Sequence, residues 1–160
     1  RCTFKRMLFF YKSKDQKIMK IAIGCDHAAF KEKLVLIEHL NDKEITIKDF
    51  GCHSESSVDY PDYAHAVCKE IQNSNFDLGI LICGSGIGIS IAANKNKGIR
   101  AALCCLEFHA EMSRKHNNAN IIALGARTTT IENMIKMINI FLNTKFEGGR
   151  HQKRVEKIEI

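Results

Sequence analysis

Residues 77–95 read DLGILICGSGIGISIAANK. The run from Leu78 to Cys83 carries no charge, glycines then alternate at 84, 86 and 88, and a helix-forming stretch follows. A strand this uniformly apolar is one buried on both faces, as in a parallel sheet covered by helices. Alternating glycines between a strand and a helix let the backbone approach a ligand closely. The loop N–H groups and the helix N-terminus then favour an anion or a developing oxyanion.

The same alternation extends in both directions. Upstream, KIAIGC (20–25) is a short apolar run, and residues 28–41 show helical spacing at Phe30, Leu34, Ile37 and Leu40. ITIKDFG (45–51) reads as a second strand and YPDYAHAVCKEI (60–71) as a helix, with Pro61 where a first turn tolerates it. Downstream, residues 86–95 form a helix, GIRAALC (98–104) a fourth strand and LEFHAEMSRKH (106–116) a helix. NIIALG (120–125) is the fifth strand and TIENMIKMINIFLN (130–143) a long amphipathic helix. The pattern predicts an α/β fold with a parallel sheet covered on both faces. In such sheets ligands bind where loops leave the carboxyl ends of the strands.

Charge separates a leader from a body. The chain has 160 residues and a net charge of +6, and residues 1–20 hold seven of the basic residues against one acid, Asp15. The remaining 140 residues are electrically balanced, which argues against nucleic-acid binding through phosphate neutralisation. Residues 1–18 are read as an extension outside the fold, upstream of a natural start at Met19, with an organelle transit peptide as the alternative. Residues 19–160 are then one domain, long enough for a real core. No apolar run approaches the ~20 residues of a membrane-spanning helix, so no membrane partner is expected. Seven cysteines, an odd number without a Cys-x-x-Cys pair, argue for a reducing, cytoplasmic setting rather than a disulfide framework or a zinc site.

The first strand ends in Cys25-Asp26-His27, where Asp26 offers a carboxylate for proton transfer or a cap for the following helix, and His27 an imidazole. The glycine loop matches only part of the dinucleotide fingerprint G-x-G-x-x-G, because position 89 is Ile and the third glycine stands at 88. Glu107 lies roughly where a ribose-binding acid would fall, about 20 residues on, which keeps a Rossmann-type nucleotide-binding module as a distant alternative. Cys83 heads the loop beside N–H donors, a setting that favours a thiolate, although burial is the default for a free cysteine. His116-Asn117-Asn118 closes the fourth helix, where a histidine also complements the helix dipole. Near the C-terminus Arg150 and Arg154 share one helical face with His151 alongside, an arrangement able to hold a phosphate.

Six segments carry a resemblance: GCDHAAF (24–30), DYPDYA (59–64), ILICGSGIGISIAANK (80–95), GIRA (98–101), RKHNNANIIALGAR (114–127) and EGGRHQKRV (147–155). In this order they resemble the ribose-5-phosphate isomerase B family, which also includes allose- and galactose-6-phosphate isomerases. The resemblance implies a Rossmann-like three-layer sandwich with a five-stranded parallel sheet and a C-terminal helical tail. It implies isomerisation of D-ribose 5-phosphate and D-ribulose 5-phosphate without metal or other cofactor, by homodimers or dimers of dimers whose sites draw on two chains. It makes Cys83 the base at substrate C2, Ser85 the group handling the proton on O1, Asp26 the shuttle between the two oxygens and His116 the ring-opening residue. Gly84, Gly86, Ile87 and Gly88 form the oxyanion-binding loop. Tyr60 and Asn117 match sugar-contacting positions, and His27, Arg127, Arg150, His151 and Arg154 match phosphate-side ones. A second branch of the family has a glutamate base where this chain has Ile89, so Cys83 places the chain in the cysteine branch. A six-carbon sugar phosphate is the nearer alternative substrate.

Overall fold

The computed structural model describes residues 18–41, 43 and 45–159. The expectation of a separate basic leader therefore falls, except for Ile18, outside the described residues.

Strands β1 (Met19–Cys25), β2 (Ile45–Asp49), β3 (Leu78–Cys83), β4 (Ala101–Leu103) and β5 (Ile121–Gly125) form one sheet in the order β2-β1-β3-β5-β4. Every pairing is parallel. The helices are α1 (Phe30–Asn41), α2 (Tyr60–Gln72), α3 (Ile87–Ala93), α4 (Glu107–Asn117), α5 (Ile131–Asn143) and α6 (Arg150–Glu156), with a 3-10 turn over His27–Ala29 before α1.

The period-2 pleat sorts each apolar strand onto two faces. Ile21, Ile23, Ile80, Ile82, Ile122 and Leu124 point into one core, joined by Leu36 and Leu40 of α1 and by Met134, Ile138 and Phe141 of α5. Ala22, Leu81, Cys83, Ile121 and Ala123 point into the other, closed by Val67 of α2 and Ile89 of α3. That two-sided burial is the three-layer sandwich expected from the sequence, and α6 packs on α4 as a helical tail. α5 is capped by Thr130, whose side chain accepts the Asn133 N–H.

Two strands are shorter than expected. The strand predicted over 98–104 shortens to Ala101–Leu103 because Gly98 takes a positive φ of 74° and Ile99 N–H donates to Asn96 O, forming a turn. The strand predicted over 45–51 stops at Asp49, whose carboxylate accepts the Gly51 N–H and turns the chain.

The chain leaves β1 toward β2 on one side, then returns past β1 to β3 on the other. The loops after β1 and β3 diverge, and a crevice opens between them at the carboxyl edge.

Candidate active site

The crevice is a hollow of about 290 Å³ whose walls come from four loops. Asp26 enters from the end of β1, Tyr60 from the start of α2, Cys83 from the end of β3, Gly84 and Ser85 from the loop after it, and Gly88 from the first turn of α3. Arg127 and Thr128 enter from the loop after β5. Thr128 is the lining residue that the sequence reading missed, and its adjacency to Arg127 was the available signal.

Asp26 is both things the sequence allowed. Its Oδ1 accepts the Ala28 N–H at 3.0 Å as the cap of the 3-10 turn, and its side chain lines the hollow. His27 is tied back to the 52–59 loop. Its Nδ1 lies 3.2 Å from Val58 N and 3.3 Å from Val58 O.

The glycine loop has a definite hydrogen-bond order. Gly86 N–H donates to Cys83 Sγ at 3.1 Å, and Ile87 N–H donates to Ser85 Oγ at 3.2 Å. Of the loop amides expected to face an oxyanion, these two serve the thiol and the hydroxyl instead. Gly86 has φ +77°, and a Cβ there would stand 2.8 Å from the Leu124 backbone carbon. Only glycine takes that turn without strain. At Gly88 the constraint is space, since an added Cβ would lie 2.6 Å from the Tyr60 ring. The tyrosine rests on bare backbone.

The Arg127 guanidinium spreads over Gly84, where an added Cβ would meet Nη1 at 3.3 Å. The arginine loop is fastened to the glycine loop by Ala126 N–H to Cys83 O and Arg127 N–H to Gly84 O, both 2.9 Å. Among the other buried thiols, Cys68 and Cys104 donate to the carbonyls of Ala93 and Ala102. Burial pushes Cys68 up to about 12, does the same to Cys104 against a weaker opposing hydrogen bond from Ser113, and raises Cys25 further. Such thiols are inert.

The remaining expected residues lie elsewhere on the chain. α4 runs back from the carboxyl end of β4 to the start of β5, so His116 and Asn117 stand at the amino edge of the sheet, where Arg100 Nε donates to Asn117 O. Asn117 lines a separate hollow of about 380 Å³. The His116 and His151 rings stack with centroids 4.2 Å apart, and His151 brings α6, with Arg150 and Arg154, to the same edge. The length of the strands puts this group on the order of 15 Å from Cys83. One chain thus places the expected residues in two groups at opposite edges of its sheet.

His116, Glu147 and His151 also cluster closely enough to hold a metal ion. The sequence reading did not single out Glu147. Among the described residues no helix is long and apolar enough to cross a membrane.

A buried thiol held by a backbone amide, with a hydroxyl and a carboxylate at the switch point of a parallel sheet, is a set of groups suited to proton transfer in an enzyme of the Rossmann-like α/β class. The pattern of the Ribose/Galactose Isomerase family matches residues 21–158, and the chain belongs to that family. It is 45% identical over 139 residues to ribose-5-phosphate isomerase B of Escherichia coli, covering 87% of this chain and 93% of that protein. The solved ribose 5-phosphate isomerase of Thermotoga maritima is 49% identical and superposes with a TM-score of 0.87, over 88% of this chain and 97% of that one. The type B enzyme of Trypanosoma brucei is 45% identical with a TM-score of 0.86, over 89% and 97% respectively.

Proposed function

We propose that this chain interconverts D-ribose 5-phosphate and D-ribulose 5-phosphate through an enediolate, with Cys83 as the base. The observation that carries the assignment of the base is the Gly86 N–H donated to Cys83 Sγ. A hydrogen bond into the sulfur stabilises the thiolate, the form that abstracts a proton.

A proton α to a carbonyl is weakly acidic, so its removal from C2 has to be matched by stabilisation of the oxygen charge that develops. Ser85 Oγ already accepts the Ile87 N–H, which leaves its own proton to donate toward O1. Asp26 carries the proton between O1 and O2, held in place by Ala28 N–H. The thiol that took the C2 proton returns it at C1. His116 opens the furanose ring, Tyr60 and Asn117 contact the sugar, and His27, Arg127, Arg150 and Arg154 take the phosphate. Phosphate contacts far from C2 supply binding energy that orients the reacting atoms.

These roles close into one site only if a second copy of the chain lends its amino-edge group to the carboxyl-edge hollow of the first. Ile87 and Ile91, one turn apart on α3, are more than half exposed, as are Leu106 and Phe108 at the start of α4. Exposed apolar groups of this size support a homodimer interface beside the site. The free cysteines support a reducing, cytoplasmic setting.

The deciding experiment assays ribose 5-phosphate, allose 6-phosphate and galactose 6-phosphate side by side. The expected result is the highest kcat/KM for ribose 5-phosphate; a clear preference for a six-carbon substrate would replace the five-carbon reading.

A further inference from the structure

His116 stands in the last turn of α4, with its side chain 38% exposed. Among the described residues no hydrogen bond holds its ring, since Glu147 Oε2 lies 3.9 Å from its Nε2, beyond bonding reach. What the ring does meet is His151. The two imidazoles lie face to face, with centroids 4.2 Å apart and planes within 6° of parallel. Parallel stacking keeps their Nε2 lone pairs from converging on one ion, so the pair is a platform and not a metal site.

His151 is fixed from its own side. It is 5% exposed in the first turn of α6, and its N–H donates to Gly148 O at 3.0 Å. Arg150 Nε donates to its Nε2 at 3.4 Å, so that atom presents a lone pair and cannot donate to a phosphate. One turn on, Val155 is buried as well, and α6 packs on α4. Glu147 N–H ties the approach to α6 back to α4 by donating to Lys115 O at 3.1 Å, beside His116.

The stack therefore joins a ring that packing holds to one that solvent reaches. An imidazole free to turn about its Cβ–Cγ bond points its nitrogens in many directions, and a partner face leaves it one plane. A reacting group gains from being locked in this way by a neighbour that does no chemistry itself.

We propose that His151 is a positioning residue: by stacking, it holds the plane of the His116 ring so that the imidazole meets the sugar-ring oxygen in one orientation. The effect on turnover rests on the ring opening assigned to His116 above, but the stack does not.

Two substitutions separate stacking from space filling. His151→Phe keeps a flat face, whereas His151→Leu fills the site without one. NMR of the whole chain reads the stack directly, with the His116 ring protons identified by their absence from a His116→Ala chain. The His151 ring current shields these protons, so they should move downfield in His151→Leu and stay upfield in His151→Phe. Unmoved resonances in His151→Leu would overturn the stack. Kinetics on ribose 5-phosphate then read its consequence. His151→Leu should lower kcat by roughly tenfold or more, and His151→Phe should recover most of that loss with KM within about threefold of wild type. Wild-type kcat in His151→Leu, or an equal loss in both variants, would overturn the positioning role. A KM raised tenfold or more at unchanged kcat in His151→Phe would make His151 a phosphate contact instead. A wild-type chain with no isomerase activity would defeat the functional reading, while the ring-proton shifts would still report the stack.

Discussion

At the scale of single residues, Cys83 is set apart from Cys25, Cys68 and Cys104 by what its sulfur meets. Cys68 and Cys104 donate to backbone carbonyls and Cys25 faces Cys52 Sγ, whereas Cys83 receives a backbone N–H. Cys83→Ala should lower kcat by roughly 10²–10⁴-fold, the usual contribution of a general base, while calorimetry still detects substrate binding. Near wild-type turnover would remove Cys83 from the mechanism. The arginine pair makes a complementary prediction. Replacing Arg150 and Arg154 by alanine should raise KM far more for ribose 5-phosphate than for the unphosphorylated sugar; equal effects on both would end their phosphate role. Cys83 and Asp26 can be picked out from sequence because each ends an apolar strand, and strand ends are where parallel sheets bind ligands. The partnership of Glu147 with His116 cannot, because 31 residues, a strand and a helix separate them.

At the scale of elements, the clearest departure from the sequence pattern is Lys33. Within α1 it reads as a surface lysine, yet its side chain is fully buried and its Nζ lies 2.7 Å from both oxygens of Asp49. It also donates to the Cys52 carbonyl. Helical periodicity gave no sign of this, since the burial is set by β2 and the turn after it rather than by α1's own apolar spacing. The alternation of strands and helices was legible because each strand is an unbroken apolar run, and the ends of β2 and β4 were less so because turns decide them locally. The Lys33–Asp49 pair has an asymmetric consequence. Asp49→Asn leaves an ammonium buried without its counter-charge and should cost about 3–5 kcal/mol in urea denaturation. Lys33→Met leaves only a partly exposed carboxylate and should cost distinctly less. The opposite order would mean that the pair is not what holds β2 against α1.

At the scale of the whole molecule, the +6 charge and the catalytic body are separate matters. Residues 1–20 carry the excess charge, and the arginines proposed to take the phosphate stand in the electrically balanced remainder. Removal of residues 1–18 should leave kcat and KM unchanged in steady-state assays, and a large loss would draw the leader into the active enzyme. The placing of the expected residues at two sheet edges is not visible in the order of the motifs, because a linear sequence does not say which end of a strand a helix returns to.

That division also has a genetic consequence. In a two-fold dimer each hollow pairs the Cys83 of one chain with the His116 of the other. Co-expressing a Cys83→Ala chain with a His116→Ala chain, each inactive alone, should therefore yield mixed dimers in which one hollow carries both defects and the other carries none. Such mixed dimers should regain about half of the wild-type rate, so that two broken alleles complement each other.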